Sequence, residues 1–137
     1  MSIGDLYSFP TQLARDLAPS DFDFSEWTRC LVYDGGPGTR SCVVPADVSE
    51  VLVVGIGGAG SGAVEIGKGT GAPGGGGGAF IMAVVPVTPG AVVSYTVGAG
   101  GAAANRTTSG TTNGAAGTAS TFGSGFSAGG GAGGVAG

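Results

Sequence analysis

The sequence predicts a mainly β protein, namely a small antiparallel β-sandwich-like domain with packed segments of polyglycine-II type, preceded by an N-terminal arm with at most one short helix. Two observations lead to this fold class. Short valine-rich runs end at Gly/Pro turn signals, as strands do. Of the 32 glycines, 28 lie in residues 51–137, in Gly/Ala segments that alternate with these runs. We therefore divide the chain into an arm, residues 1–28, and a glycine-rich β domain, residues 29–137.

The arm differs from the domain in composition. Eight of the nine acidic residues of the chain precede residue 51. Residues 11–18 lie between Pro10 and Pro19 and fit two helical turns, with Thr11 as the N-cap. The arm is too short to bury its apolar side chains alone, so we expect them to pack on the chain's own body or on a partner protein. These candidate contact residues are Leu6, Tyr7, Phe9, Leu13, Leu17, Phe22, Phe24 and Trp27.

The first predicted strand pair surrounds a glycine-rich turn at residues 35–38. Residues 26–33 and 39–44 have the composition of strands and would form a hairpin. The two cysteines, Cys30 and Cys42, flank the turn. A three-residue loop would place them opposite each other, whereas a four-residue loop would place them on opposite faces. Two cysteines do not make a disulfide scaffold, and buried apolar thiols are the simpler interpretation.

Residues 49–56 predict the central strand of the domain. Apolar side chains lie on both faces of this strand, so both faces must be covered by other parts of the protein. Residues 79–87 and 91–97, joined by the turn Thr88-Pro89-Gly90, predict a hairpin. A last strand is predicted at residues 118–122. No closing element is recognisable after it, so we expect the natural chain to continue beyond Gly137 or its end to be disordered.

The loop after the central strand contains a nucleotide-binding pattern. Gly55, Gly57 and Gly60 satisfy G-x-G-x-x-G at a strand end. A dinucleotide site also needs a helix after the third glycine and an acidic residue about 20 residues later. The glycines that follow disfavour a helix, and residues 69–84 contain no Asp or Glu. Nucleotide binding by this loop is therefore the weakest of the functional alternatives.

Other chemical functions have little support in the composition. Histidine is absent, and with it the commonest general base and metal ligand. We predict a protein that is not an enzyme, with no catalytic, cofactor-binding or metal-binding residues. A net charge of −4 without basic clusters argues against nucleic-acid partners. The longest apolar run, residues 79–87, is too short to span a bilayer, so we expect no membrane insertion.

The glycine-rich stretches allow two interpretations. They are flexible linkers, or they are extended segments whose backbones hydrogen-bond to one another. Glycine has no side chain, so it permits backbones to approach as closely as they do at the collagen axis. Linkers usually carry serine and charge, whereas these stretches are Gly/Ala-rich and alternate with strands. The ordered interpretation is favoured.

Three motifs in the sequence are similar to motifs of a known family. They are V-P-A-x-V at residues 44–48, V-T-P-G at residues 87–90 and T-V-G-A-G-G at residues 96–101. With the glycine clusters at 74–78 and 117–123, they resemble the glycine-rich domain of bacteriophage tail-fibre and receptor-binding (adhesin) proteins over residues 39–134. The resemblance implies strands combined with packed polyglycine helices.

The resemblance also implies a function. It suggests a structural virion component, made in the host cytoplasm and present in several copies or as a homo-oligomer. Its arm would dock on other tail or capsid proteins, and its glycine-rich domain would contact a host cell-surface receptor. Candidate receptor-facing residues lie in one loop: Asn105, Arg106, Thr107 and Asn113. The alternative is a capsid decoration or tail accessory protein that only stabilises the particle.

Overall fold

The computed structural model describes the backbone of residues 6–8 and 28–30, and residues 36–69 and 71–137 with their side chains. Strands are the only regular elements in these ranges, which confirms the mainly β prediction. The strands are β1 (Leu6–Ser8), β2 (Thr28–Cys30), β3 (Gly38–Val43), β4 (Glu50–Ile56), β5 (Val64–Ile66), β6 (Phe80–Pro86), β7 (Val92–Val97), β8 (Gly110–Thr112), β9 (Ser120–Phe122) and β10 (Phe126–Ala128). The helix predicted for residues 11–18 falls outside the described residues.

The strands form two four-stranded antiparallel sheets and a small two-stranded one. The first sheet has the order β2-β1-β4-β6, and the second has the order β10-β9-β7-β3. They pack face to face, with β9 and β10 against β4 and β6. The third sheet pairs β5 with β8. The predicted antiparallel sandwich is therefore confirmed.

The core of the sandwich lies between the inner faces of the two large sheets. Val51 and Val53 of β4 are fully buried there. They pack with Tyr95 of β7 and Phe122 of β9, because alternate residues of a strand point to the same face. Leu52, on the opposite face of β4, is also buried, with 3% exposure. Val54 and Ile56 on this second face are only partly buried, so coverage of both faces is confirmed at Leu52.

The turn at residues 88–91 connects the two sheets. Its geometry is that of a type II turn: Ala91 N–H donates to the Thr88 carbonyl at 3.1 Å, and Gly90 has φ +75°. However, β6 pairs with β4, whereas β7 pairs with β3 and β9. The predicted 79–97 hairpin is thus wrong. Both strands carry valines that can be buried on a sheet face, so local pattern alone does not distinguish a hairpin from a crossing between sheets.

The predicted hairpin around residues 35–38 is also wrong. Strands occur near both expected positions, but β2 belongs to the first sheet and β3 to the second. Cys30 ends β2 and Cys42 lies in β3 opposite Val93. The two cysteines are therefore not register partners in one hairpin.

One further strand, which the sequence did not predict, follows the predicted strand at residues 118–122. After Phe122, a three-residue turn leads into β10, which pairs back on β9 with Phe126 opposite Phe122. Gly123 in this turn has φ +54°. Residues 129–134 then hydrogen-bond to other glycine-rich segments. Phe126 and Ala128 are buried in the core, so this last part of the chain belongs to the fold.

Candidate functional site

Five extended glycine-rich segments form a bundle at one end of the sandwich. They are held together by backbone hydrogen bonds between segments. This arrangement is the expected one for polyproline-II-type helices, which have no internal hydrogen bonds and repeat every three residues. The segments of this polyglycine bundle are residues 57–63, 71–79, 98–103, 113–119 and 129–136.

The hydrogen bonds of the bundle follow the three-residue period. In segment 57–63, every third N–H donates to a carbonyl of segment 71–79, and the two segments are antiparallel. The pairs are Gly57 to Ala79 at 3.0 Å, Gly60 to Gly76 at 2.8 Å and Ala63 to Pro73 at 2.9 Å. Gly76 and Ala79 in turn donate to segment 129–136. The bonds thus extend from one segment to the next across the bundle.

Segment 57–63 is the central one, since it contacts the four others. Gly58 N–H donates to the Thr118 carbonyl at 2.9 Å, and the Gly58 carbonyl accepts from Gly131 N–H at 2.8 Å. Gly101 N–H donates to the Ala59 carbonyl at 2.7 Å. A bundle with one central helix and neighbours around it satisfies backbone groups that a buried loop would leave unpaired.

Close approach of backbones explains why these positions are glycine. A Cβ atom on Gly58 would overlap the carbonyl oxygen of Ala99, and one on Gly117 would overlap the carbonyl oxygen of Gly58. At Gly77, on the outside of the bundle, a Cβ atom would meet nothing within 4 Å. Glycine is required where segments face each other, which agrees with the ordered interpretation and not with flexible linkers.

The glycines of the nucleotide-binding pattern have structural positions. Gly55 lies within β4. A Cβ atom on Gly57 would overlap the Gly129 carbonyl, and one on Gly60 would overlap the Ala132 carbonyl. The residues after Gly60 continue as the extended central segment and not as a helix. Nucleotide binding at this loop thus has no supporting geometry.

All five segments join the sandwich at the same end. Segments 57–63, 98–103 and 129–136 follow β4, β7 and β10, whereas segments 71–79 and 113–119 precede β6 and β9. The loops that join these segments to one another therefore lie together at the other end of the bundle. A seven-residue segment in this conformation is about 22 Å long. We call this far end, residues 64–69, 104–112 and 135–137, the tip.

The tip is organised around Arg106. Its guanidinium group donates hydrogen bonds to the carbonyl oxygens of Thr108 at 2.9 Å, Ser109 at 2.9 Å and Thr111 at 2.8 Å. It also reaches the Thr112 hydroxyl at 3.3 Å. These bonds close the loop that leads into β8, which pairs with β5. Arg106 thus shapes the tip from within.

Two hydrogen bonds hold the C-terminal residues in place within the tip. Ala136 N–H donates to Asn113 Oδ1 at 2.9 Å, and Gly137 N–H donates to Glu65 Oε1 at 3.2 Å. Of the four predicted receptor-facing residues, Arg106 and Asn113 have these internal partners. The structure therefore brings the four predicted residues together at one end of the molecule. The side chains of Asn105 and Thr107 are exposed to solvent there.

Sequence reasoning missed several residues that build this region. The sequence analysis predicts no strand at β5 or β8, although Val64 and Ile66 alternate and Thr111 and Thr112 are β-branched. Ser61 is buried in part, accepting from Ala115 N–H at 2.8 Å and donating to the Ala102 carbonyl at 2.6 Å. A single serine in a glycine-rich stretch carries no signal for such a role.

The opposite end of the molecule is where the predicted arm enters the sandwich. Leu6 and Tyr7 lie in β1; the other predicted arm contacts, Phe9, Leu13, Leu17, Phe22, Phe24 and Trp27, lie outside the described residues. Ser8 is the register partner of both Thr28 and Val51. Val51 is near the start of β4, whereas Ile56 at its other end leads into the bundle. Ser8 and Thr28 therefore mark the end of the sheet that is remote from the tip.

A shallow cleft of about 310 Å³ lies at this same remote end. Apolar residues and the 123–125 turn line it, including Val85, Pro86, Val92 and Phe122. None of the described residues that line it is charged. Within the described ranges, no group of three or more His, Cys, Asp or Glu residues could hold a metal ion. The same ranges contain no helix that could cross a membrane.

Two antiparallel sheets that continue into a polyglycine bundle define a glycine-rich β protein. The profile of a family described as a glycine-rich domain matches residues 35–137. The match covers the sandwich from β3 onward and the whole bundle, and the chain belongs to this family. Comparisons with curated proteins and with solved structures found no match.

Proposed function

We propose that this protein is a non-enzymatic structural component of a bacteriophage particle, a tail-fibre or tail-tip protein. Its N-terminal arm attaches to other tail or capsid proteins. The tip of its polyglycine bundle contacts a receptor on the host surface. The motifs at residues 44–48, 87–90 and 96–101, which resemble those of phage adhesins, support this assignment.

The observation that carries the proposal is the separation of the two ends. Ser8 and Thr28, which bound the segment 9–27, lie at one end of the sandwich, opposite Val51. The tip loops lie at the far end of the bundle. A seven-residue strand followed by a seven-residue polyproline-II segment spans about 45 Å. A molecule that is fixed at one end and presents loops at the other suits an attachment protein.

The composition of the bundle suits the same role. Its segments are held together mainly by backbone hydrogen bonds, so the bundle can support the tip loops whatever side chains those loops expose to solvent. The tip exposes several polar residues, including Asn105, Thr107 and Lys68, beside the apolar Val135. Polar side chains on a rigid support are typical of recognition surfaces.

The role of the arm is tested by removing it without disturbing the sheet. Since Ser8 and Thr28 are register partners, residues 9–27 can be replaced by Asn-Gly, which favours a two-residue hairpin turn. We expect this variant to unfold with a cooperative thermal transition, as the full chain does, and to be lost from purified particles. Normal incorporation would contradict the docking role.

The role of the tip is tested by adsorption of particles to host cells. In one variant, the exposed residues Asn105, Thr107 and Lys68 are changed to alanine; in a control, the exposed residues Thr39, Ser41 and Ser94 of the second sheet are changed instead. We expect only the tip variant to slow adsorption, with equal incorporation of both. If particles with the altered tip adsorb normally but lose stability, the protein only stabilises the particle, as a decoration or tail accessory protein does.

A further inference from the structure

Strand β6 forms an edge of the first sheet. Among the described strands, it hydrogen-bonds only to β4. Three of its side chains are large, apolar and exposed: Phe80 by 64%, Met82 by 58% and Val84 by 43%. They alternate along the strand and therefore share the outer face of the sheet.

The backbone groups of the same three residues point to the sheet edge, where no described strand other than β4 pairs with β6. Hydrogen bonds from Gly57 N–H to the Ala79 carbonyl, at 3.0 Å, and from Val87 N–H to the Ser49 carbonyl, at 2.8 Å, fix the register at both ends of the β4–β6 pair. Hydrogen-bonded and non-hydrogen-bonded pairs alternate in an antiparallel ladder. The residues of β6 that bond to β4 are therefore Ile81, Ala83 and Val85. The residues between them, Phe80, Met82 and Val84, direct their N–H and C=O groups away from β4.

Pro86 fits this assignment. It lies opposite Glu50, at a position whose N–H would point to the free edge. Proline has no N–H group, and within sheets it is confined to such positions. The ladder between β4 and β6 thus loses no hydrogen bond to Pro86.

The free edge of β6 lacks the features that usually prevent strand association. It is seven residues long and carries no charge, whereas native edges are commonly short, charged or bulged. The other edges of the two large sheets differ. Strands β2 and β10 have three residues each, and β3 carries Arg40.

We propose that β6 pairs in antiparallel fashion with β6 of a second copy of this chain. Three edge-facing residues, Phe80, Met82 and Val84, have both an N–H and a C=O group, so a two-fold axis through Met82 pairs all three. Met82 then faces Met82 of the partner subunit, and Phe80 faces Val84 of the partner subunit. Every edge-facing N–H of one copy meets a carbonyl of the other, and the first sheets of two copies become one continuous sheet.

Self-pairing is favoured over pairing with a different protein by two properties of the strand. The edge-facing N–H groups of Phe80, Met82 and Val84 are symmetric about Met82, so the identical strand supplies a carbonyl for each of them. The exposed side chains around the axis carry no charge, so two copies meet without the repulsion that like charges cause across strands. The exposed side chains of Phe80, Met82 and Val84 would form a row with their counterparts. This dimer does not depend on the function proposed above.

The first test compares the mass of the full chain in solution for two matched lysine variants. Met82→Lys places two positive charges against each other at the axis, which disfavours association. Val92→Lys changes a valine of similar exposure, 66%, on the outer face of the second sheet. We expect a dimer by analytical ultracentrifugation, a dissociation constant at least about tenfold higher in Met82→Lys, and no change in Val92→Lys. A monomer at every concentration, or equal weakening by both variants, would overturn the proposal.

The second test examines the register by cross-linking. In a Cys30→Ser, Cys42→Ser background, Met82→Cys places two thiols on Cα atoms about 5.5 Å apart across the axis, within the range for a disulfide. Phe80→Cys is the control, because its own counterpart lies about 13 Å away along the strand. We expect oxidation to give a covalent dimer with Met82→Cys only. Equal cross-linking at both positions, or none at Met82 in a protein that is dimeric, would show that another surface is used.

Discussion

The hydroxyl group of Ser120 donates a hydrogen bond to the Ile56 carbonyl at 2.7 Å. The same hydroxyl oxygen accepts a hydrogen bond from Gly98 N–H at 2.9 Å. Ser120 is the only polar residue among the fully buried ones in the described ranges. It lies where β4 and β7 continue into the bundle, so one side chain joins the ends of strands from both large sheets to the polyglycine segments.

Replacing Ser120 with alanine should destabilise the protein by about 1–3 kcal/mol, because it leaves a buried N–H and a buried carbonyl without partners. Thermal unfolding followed by circular dichroism measures the effect. Ser127→Ala is the matched control, since Ser127 is exposed on β10, and it should change stability by less than about 0.5 kcal/mol. Equal small effects of the two substitutions would show that the junction does not depend on Ser120.

Replacing Arg106 with glutamine should loosen the tip and leave the sandwich intact. The substitution removes bonds from a charged group to three carbonyls, and we expect a loss of about 1–2 kcal/mol in the local stability of residues 104–113. Amide hydrogen exchange measures it residue by residue. Arg106→Lys should not restore protection, because an ammonium group lacks the planar fork of donors.

The control for Arg106 is Lys68→Gln, which removes one positive charge from an exposed residue of the same tip. It should leave exchange of residues 104–113 unchanged. Faster exchange in both variants would mean that net charge matters to the tip and that the specific bonds of Arg106 do not.

Replacing Gly90 with alanine should strain the turn between the sheets. Gly90 has φ +75°, and this left-handed region costs a residue with a Cβ atom about 1–2 kcal/mol. Urea unfolding should show a lower midpoint with an unchanged slope. Gly74→Ala is the control, because its Cβ atom would meet nothing within 4 Å and its φ is not positive; a midpoint that falls as far in the control would contradict the turn assignment.

Local patterns in the sequence were sufficient for the strands and for the role of glycine. Valine-rich runs predicted β4, β6 and β7, and the two-sided apolar pattern of β4 correctly predicted burial on both faces at Val51, Leu52 and Val53. The Gly/Ala composition, the small number of charges and the interleaved strands favoured ordered segments over linkers. Each of these conclusions depends on properties of adjacent residues.

Pairing between distant residues could not be predicted in the same way. The turn at Thr88–Ala91 has the composition of a hairpin turn, yet its strands enter different sheets, because the partners of β7 are β3 and β9. Likewise, Arg106 was identified as a loop residue, but its bonds to Thr108, Ser109 and Thr111 depend on the folded path of the loop. The central position of segment 57–63 requires four other segments that are distant in sequence.

The central claim is that backbone contacts between glycine-rich segments hold the domain together, and one pair of substitutions tests it most directly. A Cβ atom on Gly117 would overlap the Gly58 carbonyl, whereas one on Gly77 would meet nothing within 4 Å. We expect Gly117→Ala to lower the free energy of unfolding by about 3 kcal/mol or more, since both overlapping atoms belong to hydrogen-bonded backbones. Gly77→Ala should leave it unchanged or raise it by up to about 1 kcal/mol. Equal free energies of unfolding for the two variants, measured by urea titration, would contradict the packed bundle.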